Sequence, residues 1–304
     1  MNRLALLPAV ASLALRGAVP AWAQPAPPTP VPTVTTVGAN LNISPKRVTF
    51  DRNRRSATVY IYNQGAAAAT FDIGLVDRVM TPDGQIVAAS EIETRPELKP
   101  FSDRLSSAQG LLLASPRRAT LAPGQGQTIR LRVGNLPESS SGEYRSHLTI
   151  TTIPPADAGI TAESAAGGES NELRFQINSV FGLSIPAIIR VGDPDVRAAI
   201  ENVRIEHAEI SPDGVAPARR TAVAAFDLVR QGANSLFGNL EVRPAGQRRG
   251  EPIGLARGVG VYTEIDRRTV RIPLSREPAA GEQLEITFTD DDTSPGKLLA
   301  TTAP

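Results

Sequence analysis

Few residues in this chain are of a type and spacing that could do chemistry. There are two histidines, His147 and His207, no cysteine, and 32 basic against 31 acidic residues in 304. A histidine serves as a general base only with a nucleophile or substrate group in reach. As a metal ligand it needs companions at ligand spacing. Each of these two stands alone inside an alternating stretch, "YRSHLTI" and "VRIEHAEI". His147 is therefore expected to be a half-exposed strand residue. The run "TDDD", Thr289 to Asp292, lacks companion ligands at calcium-loop spacing and reads as a strand end with solvated carboxylates. "GLARGVG", Gly254 to Gly260, has neither dinucleotide spacing nor a strand-to-helix setting and reads as a hairpin. No nucleophile elbow, phosphate loop or zinc-helix motif occurs, so the expectation is a non-enzyme without cofactor or metal. Without cysteine, disulfides and thiolate metal sites are excluded, and stability has to come from packing.

The elements that would position any site are strands. "KRVTF", "ATVYIYN", "TFDIGLVDRVM", "QTIRLRVG" and "YRSHLTITTI" carry β-branched residues at alternate positions. "TPDG" (Thr81 to Gly84) and "LAPGQGQ" (Leu121 to Gln127) supply turns, proline presetting one torsion and glycine accepting a positive one. Residues 97 to 113 leave room for one short helix. The second half repeats the style in "VRIEHAEI", "TAVAAFDLVRQG", "FGNLEVRPAG", "GVGVYTEI", "RTVRIPL" and "QLEITFTD". The reading is an all-β chain of two sandwiches of about 150 and 100 residues, residues 41–191 and 195–292, hinged at "GDPD". The tail 293–304 is expected to be loose.

The chain opens with Arg3, an apolar stretch and the triplet Ala21-Trp22-Ala23, the pattern of a secretory leader over residues 1–23. Pro8, Arg16 and Pro20 interrupt that run short of the ~20 apolar residues a spanning helix needs, so no membrane insertion is expected. Residues 24–40 are a proline-rich tether. A net charge of +1, with basic residues scattered among acidic ones, speaks against nucleic acid as a partner.

One strand has more apolar residues than a single core face needs. In "NELRFQINSVFGLSIPAIIR", Phe175, Ile177, Phe181, Leu183 and Ile185 fall on one alternate set with Ser179, while Arg174, Gln176 and Asn178 fall on the other. A partly buried edge strand explains this alternation, and so does an edge that offers its apolar row to a partner. Pro186 fits an edge, since it cannot donate to a ladder.

Four segments in order, "ISPKRVTFDRNRRSATVYIYNQG", "PRRATLAPGQGQTIRLRV", "GEYRSHLTITTIPP" and "FQINSVFGLSIPAIIR", resemble the first, later and final strands of periplasmic pilus chaperones, the PapD-like family. The resemblance covers Ile43 to Arg190. It implies two immunoglobulin-like β-sandwich domains in a boomerang arrangement and no catalysis. The last strand of the first domain would be lent, apolar row outward, to a pilus-type subunit that lacks one strand, and the complex handed to an outer-membrane usher. In that family an arginine on the first strand and a lysine on the last hold the subunit's terminal carboxylate. Arg47 matches the arginine, whereas Pro186 stands where the lysine would be. The nearest cations are Lys46 and Arg190, which leaves Arg47 and Arg190 as anchor candidates. An ordinary surface arginine is the alternative for Arg47. An exported structural or adhesive protein, its strand paired internally or by self-association, is the alternative for the whole.

Overall fold

The computed structural model describes residues 40–154, 180–211, 214–247 and 250–302. The leader, nearly all of the tether, Phe175 and Ile177 lie outside them. The first half contains β1 (Leu41–Ser44), β2 (Val48–Phe50), β3 (Ser56–Asn63), β4 (Ala69–Val76), β5 (Arg78–Met80), β6 (Ile86–Ala88), β7 (Leu112–Ser115), β8 (Arg118–Leu121), β9 (Gly126–Val133), β10 (Gly142–Ile153) and β11 (Gly182–Val191). Two sheets, ordered β1-β3-β9-β7 and β2-β11-β10-β4-β8, face one another. Alternation is the cause: Val59 and Ile61 on β3 and Ile129 and Leu131 on β9 point inward to meet Phe71, Ile73, Leu148 and Ile150 from the opposite sheet.

The second half contains β12 (Ala198–Ile210), β13 (Arg219–Arg230), β14 (Leu236–Pro244), β15 (Gly254–Val261), β16 (Arg267–Pro273), β17 (Leu284–Asp290) and β18 (Leu298–Thr301). Its sheets run β12-β13-β16 and β15-β14-β17-β18, around a core that includes Phe226, Leu240, Val261, Ile286 and Phe288. The all-β, two-sandwich expectation is met, and "TPDG" and "LAPGQGQ" form turns with Gly84 and Gly124 at positive φ.

Between β4 and β7 the chain inserts the β5–β6 hairpin, two 3-10 turns and a short helix α1 (Lys99–Asp103). This insert leans on the second sandwich. Met80 enters the second core and Phe101 packs against it. The Thr269 amide donates to the Pro82 carbonyl at 2.9 Å, and Arg104 pairs with Asp266 at 2.6 Å.

Three expectations change. "TFDIGLVDRVM" is not one strand, because Asp77 separates β4 from β5. "GLARGVG" lies inside β15 instead of forming a hairpin; Gly258 at φ +65 absorbs the register shift opposite Gly238 and Leu240. The tail is not loose between Leu298 and Thr301, where β18 pairs with β17 and buries Ala300.

Candidate functional site

The strand singled out above becomes β11, and its two halves differ. Along its whole length β11 pairs antiparallel with β10, Gly182 with Thr151 through Val191 with Gly142. On its other side, the short strand β2 pairs in parallel with Ala187, Ile188 and Ile189 only. Among the described residues, Gly182 to Pro186 therefore form a sheet edge. Pro186 stands one residue before the β2 pairing begins, where a missing amide proton costs the ladder nothing. The facing strand β1 likewise edges the other sheet. Between these two edges opens a cleft of about 360 Å³, lined by Leu41, Phe71, Ile150, Phe181 and Leu183 among others.

The apolar row is graded along this edge. Phe181 is 43% exposed beside exposed Val180, and its backbone is held by Thr152, whose Oγ1 accepts from the Phe181 amide at 2.8 Å. Leu183 is half-buried. Ile185, at 4% exposure, belongs to the first core. The outward row expected from the sequence is thus outward only at its start, because the sandwich closes beneath Ile185, Ala187 and Ile189. The surplus of apolar residues has a second cause: Ile188, on the opposite face, enters the second core.

That opposite face of β10 and β11 forms the domain interface. Arg190 donates from Nε to Glu143 at 3.0 Å and from Nη1 to Thr293 at 2.6 Å. Its Nη2 lies 2.9 Å from Asp292 Oδ2. Arg47 reaches the same Asp292 oxygen at 3.0 Å, and Thr49 donates to the other at 3.0 Å. The structure thus brings the two anchor candidates together, already engaged by a carboxylate of this chain. Asp292 is not the solvated strand end expected of "TDDD"; its side chain is only 12% exposed. Burial raises the Asp292 pKa, but Arg47 and Arg190 outweigh it and hold the group below its ordinary value. Glu143 behaves alike: burial is opposed by Arg190 and by the Ser235 amide, and the net shift is downward. Arg47 also lies over the Phe237 ring at 4.6 Å, with its Nε and Nη1 buried and without partners.

A second cluster adjoins the first. Arg145 grips Glu264 from Nη1 at 2.8 Å and Nη2 at 2.6 Å, with both side chains essentially inaccessible. The Met80 amide donates to Glu264 at 2.6 Å, and the Arg145 guanidinium lies 3.9 Å above the Tyr262 ring. Sequence reasoning missed Glu143, Arg145, Tyr262, Glu264 and Asp292. The signal available was the polar row Glu143, Arg145, His147 on a strand whose neighbour β11 is apolar on both faces from Ile185 to Ile189, which marks a buried polar surface.

His147 completes that row. It is 2% exposed rather than half-exposed and meets Tyr262 edge-on at 6.2 Å. Burial, then Arg145, Arg78 and Arg47, depress its pKa from 6.5 to about 2. The sign follows: the unfolded chain binds a proton below pH 6.5 that the folded chain refuses, so stability is full above 6.5 and falls as pH drops. Between pH 8 and 5 the loss is about 2 kcal/mol from this group alone. Urea titrations of wild type and His147→Phe across that range are expected to converge or cross toward low pH. Parallel profiles would show that His147 is not held neutral.

Among the described residues, no group of three His, Asp or Glu side chains is placed to hold a metal, and no helix is long and apolar enough to cross a membrane. No protein-family model matches this chain, and no curated protein matches it. Solved structures are similar to it at low identity. The YadV chaperone is 11% identical over 85% of this chain and 96% of its own, with a TM-score of 0.40. The chaperone DraB of E. coli is 11% identical over 86% and 95%, at 0.43. A CsuC–CsuE complex of Acinetobacter baumannii, described as a chaperone–tip adhesion subunit pre-assembly complex from archaic chaperone-usher Csu pili, gives 15% over 86% and 96%, at 0.40.

Proposed function

We propose that this protein is a non-enzymatic periplasmic chaperone for subunits of a pilus or similar surface fibre, which it binds through the open edge of β11 before passing them to an outer-membrane usher. The observation that carries this reading is the half-open strand: among the described residues Gly182 to Pro186 are paired on one side only, with Phe181 exposed at the head and an apolar cleft beside it. Exposed strand edges invite pairing with another chain, and folded proteins ordinarily cover or charge them. Here the edge is uncharged, and the neighbouring cleft would take apolar side chains from an added strand. Backbone hydrogen bonds would supply affinity and the side chains of alternate residues specificity. The secretory leader read from residues 1–23 supports the compartment. The anchor reading of Arg47 and Arg190 becomes an exchange: a subunit's terminal carboxylate reaches the Arg47 guanidinium by replacing Asp292.

The test uses two substitutions on one strand. Phe181→Asp is expected to leave the melting temperature within the range of surface changes and to abolish capture of the subunit. Ile185→Asp places an unpaired charge in the first core and is expected to unfold that sandwich, at a cost of several kcal/mol. Capture of a subunit by Phe181→Asp at wild-type yield would refute the edge as the binding element.

A further inference from the structure

The outer face of the β1-β3-β9-β7 sheet takes no part in the edge of β11 or in the domain interface. Its four strands contain no aspartate or glutamate. Tyr60 and Tyr62 point outward from β3 with their rings stacked, centroids 6.5 Å apart and 28° between planes. The "GQGQ" that leads into β9, Gly124 to Gln127, is shaped to them. The distal end of the Tyr60 ring lies across Gly126, where an added Cβ would overlap its hydroxyl, and Gly124 faces the Tyr62 hydroxyl. Glycine therefore lets an aromatic ring lie down on the strand, with Tyr60 still 48% exposed.

Arg130 and Arg132 stand next along β9 on the same face, opposite Thr58 and Ser56. Some exposed arginines, such as Arg95, Arg104, Arg197 and Arg276, have a carboxylate within ion-pair distance, whereas others, such as Arg117 and Arg257, have none among the described residues. Neither Arg130 nor Arg132 has an ion-pair partner among the described residues. Two free guanidinium forks beside a pair of flat rings, on a sheet face with hydroxyls and no negative charge, match a carboxylated sugar chain. The forks bind carboxylates in two-point fashion and the rings receive the C–H faces of the sugars. Protein interfaces also use tyrosine and arginine, but around a more apolar core, and here Leu113 is the one aliphatic side chain turned outward.

We infer that this face binds an anionic polysaccharide through sugar carboxylates. The probe is polygalacturonate, compared by calorimetry in low salt with neutral dextran and with polyglutamate. Polygalacturonate is expected to bind, dextran not, and polyglutamate more weakly than polygalacturonate. Arg130→Ala and Arg132→Ala should each weaken binding about tenfold. Tyr60→Ser should weaken it about fivefold, while Tyr60→Phe, which keeps the ring, should retain it. The proposal is overturned if polygalacturonate fails to bind or if the arginine variants bind it as well as wild type. It is equally overturned if polyglutamate matches polygalacturonate and Tyr60→Ser has no effect, which would make the face a site for charge alone.

Discussion

Glu264→Ala is expected to destabilise the protein by about 3–5 kcal/mol, the range for removing one member of a buried ion pair. The alanine leaves the Arg145 guanidinium in an inaccessible site with the Arg78 carbonyl and the Tyr262 ring as its remaining partners. It also orphans the Met80 amide, which donates to Glu264. The penalty is one of desolvation, so removing both charges should relieve much of it. Arg145→Met combined with Glu264→Leu is expected to lie closer to wild type than either single change. Urea denaturation with a fitted slope separates the outcomes. A single-variant cost below about 1 kcal/mol would be that of an exposed pair and would contradict the buried latch.

Arg190→Ala should cost a similar amount, about 3–5 kcal/mol, for the same reason with the signs reversed. It strands Glu143, whose side chain is inaccessible and whose Oε1 already lacks a partner, leaving the Ser235 amide as its donor at 3.1 Å. Asp292 would keep Arg47 and Thr49, so Glu143 is the group that Arg190→Ala leaves uncompensated. Glu143 and Asp292 both titrate below their ordinary values. The stability they contribute is therefore present above the unfolded values of 4.5 and 3.8, and it is lost as pH falls through the depressed folded ones. Arg190→Ala should flatten the acid limb of the stability profile as well as lower its plateau. A cost below about 1 kcal/mol for Arg190→Ala would be that of an exposed pair and would contradict a buried charge at Glu143 that depends on Arg190.

Strand alternation made most of the fold legible, because a period of two with turn glycines and prolines is a local signal: "ATVYIYN" and "QLEITFTD" read as the strands they form. What stayed hidden was set by contacts distant in sequence. His147 sits in a period-two stretch whose outward face would be solvated in a lone sandwich. The second sandwich covers it, and nothing within "YRSHLTI" announces that. Asp292 and Arg47 are 245 residues apart, so "TDDD" could not be read as part of an interface. The apolar row of β11 was legible as alternation but not as to which half is open, since that depends on where the three-residue strand β2 comes alongside.

Hydrogen exchange along β11 tests strand lending most directly, measured on the free protein and on the complex purified from cells that also express its genomic neighbours. Ala187 to Ile189, flanked by β2 and β10, should be protected in both. The amides of Gly182 to Ile185 that face away from β10 should exchange quickly in the free protein and become protected in a complex with a small β-sheet subunit. Protection of those amides already in the free protein, with no subunit co-purifying, would contradict the account and make β11 an internally paired or self-paired strand.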